Sequence, residues 1–360
     1  MGSTPLIAFD VGSFYYLPQY LPVLRELEAR GLQPVCVFYK DAQIADLQQD
    51  VVAREGLRVQ WCNSREEGLA WYRQQRPSWV VYGNHHRGYT DLAEGSRSAM
   101  LYHGIGVKAC YYDVELAQAD VRFVEGPFRL AELQRRFPDA AFVDTGFAKL
   151  DPLLGGAAAQ GLDLAELGLD PARPTVLYAP TYYPSSIELL PMDWPQRLPG
   201  VNVLIKAHFF SMVGDDYASQ RRRLARWAQL PNVHVAQTSE YNLLPFMASA
   251  DVMVSEASSA LFEFAALDKP VIWCDFYKLR WSYRGPLSFR HRRRMDKTID
   301  AYRDVGVHVS DPGRLIDCIN GELQRPERLA EQRRRCTEQL IGRADGAASR
   351  RIVDHLLVQG

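Results

Sequence analysis

Residues 250–275, ADVMVSEASSALFEFAALDKPVIWCD, hold two adjacent hydroxyls, Ser258 and Ser259, between an apolar run and a helical face. The run 251–255 has the continuous apolar character of a strand buried in a parallel sheet. Leu261, Phe262, Ala265, Ala266 and Leu267 fall at helical spacing, Asp268-Lys269-Pro270 stops that helix, and residues 271–274 begin the next strand. Serine oxygens at such a turn satisfy the free N–H groups of the first helical turn. The same N–H groups and the positive end of the helix dipole converge on one spot, which suits a phosphate or diphosphate. The plain alternative is that Ser258 is only an N-cap. Further polar groups follow other predicted strands: YHGIGVK at 102–108, DTGFAKLD at 144–151, LYAPTY at 177–182 and IKAH at 205–208. These set His103, Lys108, Thr181, Lys206 and His208 at strand ends, with Gly104 and Gly106 allowing backbone to approach a ligand closely. A neutral imidazole accepts a proton near pH 7.

The elements that must position these groups alternate along the chain. Residues 6–10, 34–39, 57–61, 79–82, 99–103, 121–124 and 141–144 read as strands, with helices at 20–30, 41–55 and 64–75. A loop rich in Gly and Ala follows at 154–162, and a second cycle starts with strands at 175–178, 201–207, 233–236, 251–255 and 271–274 and a late strand near Val307. Helices are expected at 217–230, 241–248, 311–323, 326–340 and 350–358. This alternation is the signature of parallel sheets covered by helices. The expected domains are 1–160 and 170–340, each doubly wound and Rossmann-like, with a cleft between them and 341–360 as a helix packing back on the first. In such sheets ligands sit at the carboxyl ends of the strands.

At 360 residues, with 47% hydrophobic and 11% aromatic residues, the chain can build two cores. A net charge of −1 argues against a dedicated nucleic-acid binder. No run of about eighteen apolar residues suggests a membrane span, and the N-terminus lacks the pattern of a secretion signal. Six cysteines at 36, 62, 110, 274, 318 and 336 form no CxxC pair and read as reduced core thiols of a cytoplasmic protein. The arginine runs 221–223, 290–294 and 333–335 read as solvated faces, the second also as an anion-binding stretch near the cleft.

Taken in order, the strand-end segments resemble the CDP-glycerol glycerophosphotransferase family, the teichoic-acid primases and polymerases of GT-B fold. The matching motifs are His103-Gly104 with Lys108 downstream, the Thr145-Gly146…Lys149…Asp151 segment, Tyr178-Ala179-Pro180-Thr181, Lys206…His208, Ser258-Ser259 with a downstream acidic residue, and residues 345–351, DGAASRR. The chain departs from the pattern at Tyr102 (family Trp), Ala148 and Phe209 (family Pro) and Glu256-Ala257 (family Asp-Tyr).

The resemblance implies that an acceptor hydroxyl attacks the β-phosphorus of a CDP-linked polyol such as CDP-glycerol and that CMP leaves. His103 is then the expected base, and His208 contacts the diphosphate or protonates the leaving phosphate. Lys206, Ser258, Ser259 and Thr181 bind the donor phosphates, and Glu263 accepts hydrogen bonds from ribose or glycerol. Gly104, Lys108 and Arg284 are further phosphate contacts. No cofactor and no obligatory metal are expected, because no Asp-x-Asp stands at a strand end and Asp215-Asp216 reads as a turn. The implied acceptor is a glycan or lipid-linked hydroxyl, with peripheral contact at the inner face of a membrane and no nucleic acid. His85-His86, after Gly83-Asn84, either line the acceptor side or sit in an exposed loop. A nucleotide-sugar transferase or 2-epimerase on the same fold, and a non-catalytic nucleotide-binding subunit, are the alternatives.

Overall fold

The computed structural model describes residues 5–106, 108–155, 161–279, 286 and 296–358. Thirteen strands among them form two sheets in which every strand pair is parallel. The first sheet contains β1 (Ile7–Val11), β2 (Val35–Tyr39), β3 (Val59–Cys62), β4 (Trp79–Tyr82), β5 (Arg97–Leu101), β6 (Val121–Val124) and β7 (Phe142–Asp144), in the order 3-2-1-4-5-6-7. The second contains β8 (Thr175–Tyr178), β9 (Asn202–Ile205), β10 (Val233–Val235), β11 (Val252–Ser255), β12 (Val271–Cys274) and β13 (Val307–Val309), in the order 10-9-8-11-12-13. Strand order reverses between β1 and β4 in one sheet and between β8 and β11 in the other. At such a switch point the loops leave in opposite directions and open a crevice beyond the strand ends.

The strands match the predicted ones to within a few residues because their side chains are covered on both faces, and such strands read as unbroken apolar runs. Val80, Val81 and Tyr82 are fully buried in β4, as are Val252, Met253 and Val254 in β11. The helix Leu17–Ala29 starts three residues before its predicted position, with Pro18 in its first turn. The helix Gly126–Arg136 escapes the sequence reading, because Gly126 and Pro127 look like a turn where they in fact open a helix. Cys36, Cys62, Cys274 and Cys336 are buried thiols, whereas Cys110 is exposed and Cys318 half-buried, so the expectation of core thiols holds for four of the six.

Two compact units divide the chain. The first comprises 1–105, 110–157 and 338–360, and the second 106–109 and 158–337. The short segment carrying Lys108 therefore groups with the second unit. In the first unit the helix Ala348–Val358 lies near the helix Leu17–Ala29, and the Trp79 indole donates to the Leu356 carbonyl at 2.9 Å. Asp151 caps the start of that C-terminal helix, its carboxylate accepting from the backbone of Ala348 at 3.1 Å and of Ser349 at 2.6 Å. Arg351 donates to the Thr145 carbonyl at 2.8 Å and pairs with Asp345. Two of the sequence motifs, 145–151 and 345–351, are thus bound to each other as a staple.

The arginine runs do more than face solvent. Arg333 is buried and donates to the carbonyls of Asp268 at 3.1 Å and Pro326 at 2.9 Å, and Arg223 donates to the carbonyls of Ile187 and Leu190. The run 290–294 lies outside the described residues.

Asp151→Ala leaves two N–H groups of a buried helix start without their acceptor. The expected loss is about 1–3 kcal/mol of stability, read as a lower midpoint of urea unfolding with an unchanged slope.

Candidate functional site

In the first unit, His103 follows β5 and is half-buried. Its Nδ1 lies 2.9 Å from the carbonyl oxygen of Gly83, at the end of β4. A carbonyl oxygen can only accept, so Nδ1 carries the proton and, in the neutral ring, Nε2 keeps its lone pair. Among the described residues, aromatic rings pack against the imidazole. Tyr16 stacks on it at 4.9 Å, Tyr15 meets it edge-on at 4.7 Å and Tyr102 lies at 4.4 Å. Burial raises the Tyr16 and Tyr102 phenol pKa values, so both rings stay uncharged beside the imidazole. Gly83 is required by close packing, because a Cβ there would stand 2.6 Å from the Tyr16 ring and 2.8 Å from the Tyr20 hydroxyl. Gly104, next in the chain, is half-buried.

In the second unit, most of the remaining candidates gather at the carboxyl ends of adjacent strands. Thr181 follows β8, Lys206 and His208 follow β9, and Ser258 and Ser259 follow β11. His208 begins the short helix Phe209–Val213, and its Nδ1 accepts from the Phe210 backbone N–H at 3.2 Å. The neutral ring therefore carries its proton on Nε2, the opposite tautomer to His103. The Tyr182 ring, from the loop after β8, lies 4.6 Å from the His208 ring. Ser258 is the N-cap of the helix Ser259–Ala265, accepting from the Ala260 N–H at 3.2 Å, so the plain N-cap role is present. Both serines are half-buried. Glu263 is buried on that helix. The Thr181 hydroxyl donates to the Pro184 carbonyl, which directs it away from a phosphate in this conformation. Arg284 lies outside the described residues.

The residue that organises these loops is Glu256, present in the sequence only as a departure from the family pattern. It is buried at 2% exposure directly after β11. One carboxylate oxygen accepts from the Thr181 N–H at 2.7 Å, and the other accepts from the Ser186 N–H at 2.6 Å and from the Ser186 hydroxyl. Burial raises its pKa, and the bonds from Ser186 and Thr181 oppose that rise. The Ser255 hydroxyl donates to the Ala179 carbonyl at 2.6 Å, a second tie between β11 and the loop after β8.

A cavity of about 120 Å³ opens beside this knot, lined among others by Lys108, Thr181, Glu256, Trp273, Asp275 and Arg303. Pockets that take drug-sized ligands measure roughly 300 Å³ or more, so this smaller space suits a fragment such as a phosphate or a ribose. Asp275, just past β12, accepts from Arg303 at 2.6 Å and lies 2.7 Å from His308 Nδ1. The His308 ring stacks on Trp273 at 5.3 Å, and the Arg303 guanidinium lies 5.0 Å from the Trp273 ring centre. Sequence reasoning missed this group. Its only signal was a carboxylate directly after an apolar strand, because Arg303 and His308 arrive from a segment with no strand-end motif. Among the described residues, no group of three or more His, Cys, Asp or Glu side chains could hold a metal ion, and no helix is long and apolar enough to cross a membrane.

The family model of CDP-glycerol:poly(glycerophosphate) glycerophosphotransferases matches residues 120–358, about two-thirds of the chain. The chain belongs to that family. No curated protein matches it. Among solved structures, the wall teichoic acid polymerase TagF matches with a TM-score of 0.66 at 14% identity, over 99% of this chain and 89% of that one. A UDP complex of MnaA from S. aureus matches with a TM-score of 0.61 at 13% identity, over 98% of this chain and 96% of that one. A UDP-N-acetylglucosamine 2-epimerase matches with a TM-score of 0.61 at 13% identity, over 99% and 96% of the two chains. At these identities the likeness is one of fold, and the fold of this family member is GT-B.

Glu256→Gln keeps the shape but turns an amide NH₂ toward at least one of the Thr181 and Ser186 donors. A loss of about 1–3 kcal/mol in unfolding free energy is expected. Amide exchange at Thr181 and Ser186, measured by hydrogen exchange, speeds up as the loop after β8 loosens.

Proposed function

We propose that this chain transfers a polyol-phosphate group, such as glycerol phosphate, from a CDP-activated donor to a hydroxyl acceptor and releases CMP. The observation that carries the reading is the pair of opposed histidine tautomers, within a family whose description names this transfer. His103 presents a lone pair on Nε2 and takes the proton of the attacking hydroxyl. The new P–O bond forms at the β-phosphorus as the bond to the CMP oxygen breaks. His208, with its proton on Nε2, donates to the diphosphate and supports the negative charge left on CMP. Lys206, Ser258 and Ser259 surround the donor phosphates, Thr181 joins them once its hydroxyl turns from the Pro184 carbonyl, Glu263 serves the donor's hydroxyls, and Gly104, Lys108 and Arg284 are additional phosphate contacts. TagF crystals soaked with CDPG belong to a structure of the same fold. The acceptor in this reading is a glycan or lipid-linked hydroxyl, with peripheral contact at the membrane. No metal is obligatory, because imidazole, lysine and N–H donors carry the charge compensation.

CMP release from CDP-glycerol, CDP-ribitol, UDP-sugars and CMP-sugars, followed with and without candidate acceptors, tests the reading. His103→Ala and His208→Ala each lower kcat by about 10²–10⁴-fold while CDP still binds. EDTA leaves the rate unchanged. UDP release in place of CMP would move the protein to nucleotide-sugar chemistry, and tight binding with release of neither would make it a non-catalytic subunit.

A further inference from the structure

The candidate donor contacts of the second sheet stand at the carboxyl ends of its strands, whereas a larger cavity opens at the amino ends. It measures about 500 Å³ and is lined among others by Pro174, Asp251, Val252, Lys269, Pro270 and Glu322. β8 starts at Thr175, β11 at Val252 and β12 at Val271, and these three strands are neighbours in the sheet. β11 has four residues, so at about 3.3 Å per residue its two ends lie roughly 10 Å apart. The cavity is thus on the opposite edge of the sheet from Ser258 and His208. Small-molecule pockets span roughly 300–1,000 Å³, so this one holds a whole small ligand.

What the lining leaves open is a set of acceptors. Glu322, on the helix Leu315–Gln324, is 1% exposed. Its Oε1 pairs with Arg328 at 2.6 Å, and among the described residues its Oε2 has no hydrogen-bond partner. An unmet buried polar atom costs about 1–3 kcal/mol. Burial raises the Glu322 pKa, and Arg328 and Arg333 oppose that rise, so a further positive charge beside Oε2 favours the ionised form. Asp251 is exposed at the rim, and one of its oxygens accepts from the Thr175 N–H at 2.8 Å, which leaves acceptor capacity on the other. The cations at this edge are engaged by the protein's own acceptors. Lys269 donates to the carbonyls of Met247 at 3.1 Å, Ala248 at 3.0 Å and Ala250 at 2.7 Å, which uses all three of its protons. Arg173 pairs with Asp170 at 3.0 Å, and Arg333 and Arg334 hold Asp268 at 3.2 Å and 3.0 Å. Arg333 Nη1 is buried without a partner, but Arg333 is not part of the lining. Pro174, Pro270 and Pro326 contribute no N–H and have fixed φ, so their part of the wall is apolar, rigid and free of donors.

We propose that this cavity binds a small organic cation, an ammonium or guanidinium group on an apolar stem, with Glu322 and Asp251 accepting its hydrogen bonds and Leu323 and the three prolines covering the stem. The site is separate from the candidate donor site and does not rest on the transferase reading. Glu322→Gln keeps the shape and removes the charge. It also weakens the pair with Arg328, so its folding is checked by thermal unfolding. Asp251→Asn, the second variant, keeps an amide oxygen for the Thr175 N–H and removes the rim charge.

Isothermal titration calorimetry on the full-length protein, at about 0.15 M ionic strength to screen loose surface attraction, reads the binding directly. The probes are agmatine, spermidine and benzylamine, with benzyl alcohol as the neutral comparator and inorganic phosphate as the anionic one. The expected result is binding of at least one of the three cations, tenfold or more tighter than benzyl alcohol, that weakens tenfold or more in Glu322→Gln while CDP affinity is unchanged. Should Glu322→Gln unfold at a lower temperature than the wild type, Asp251→Asn becomes the deciding variant, with the same tenfold loss expected. Binding that the deciding variant retains at full strength overturns the proposal, as does binding of no cation, of phosphate in their place, or of benzyl alcohol equally well. A parallel fall in CDP affinity overturns it too, since the loss would then be general. None of these readouts uses CMP release, so this site and the transferase reading fail separately.

Discussion

A single buried carboxylate ties together the loops at the carboxyl end of the second sheet. Glu256 gathers the Thr181 N–H, the Ser186 N–H and the Ser186 hydroxyl, and so ties the loop after β8 to the end of β11 across the switch point. A parallel sheet leaves such loops without ladder partners, and their N–H groups must find acceptors elsewhere. Water would meet that need on an exposed loop. Here the loop is packed and the carboxylate meets it instead, at the cost of desolvating a charge, which is why its pKa is raised. The cavity beside Trp273, Asp275 and Arg303 exists because that knot holds one of its walls.

The same logic divides the family motifs by role. Thr145-Gly146 to Asp151 and Asp345 to Arg351 look in the sequence like site segments, since each is polar and lies beside a predicted element boundary. Their side chains are spent on one another: Asp151 caps the C-terminal helix and Arg351 holds the Thr145 carbonyl. They attach the last helix to the first unit. His103 and His208, by contrast, are each oriented at Nδ1 by a backbone group. The backbone partner decides the tautomer in each case, a carbonyl for one and an N–H for the other.

Much of the fold was legible before any coordinates. The strands of both sheets read as apolar runs because both faces are buried, and Ser258 announces its helix because a hydroxyl there caps free N–H groups. The helix at Gly126–Arg136 was not legible, since Gly-Pro is equally a turn signal, and only packing resolves that ambiguity. Of the site, the strand-end histidines and serines were visible as residue types at the right places. Glu256 was visible only as a mismatch, Asp275 only as a carboxylate after an apolar strand, and its grouping with Arg303 and His308 not at all, because those contacts join residues about thirty positions apart.

The amino-acid sequence by itself determined the class of the protein: two parallel sheets, membership of a phosphate-group transferase family, and imidazoles, lysines and hydroxyls at carboxyl ends of strands. Periodicity and capping act over a few residues, so a linear reading reaches them. Tertiary structure alone decided which nitrogen of each histidine holds the proton, which motif residues serve as staples, and where buried polar atoms such as Glu322 Oε2 stand without partners. Each of these depends on what a side chain meets across the fold, and distance in space is not written in the order of the chain.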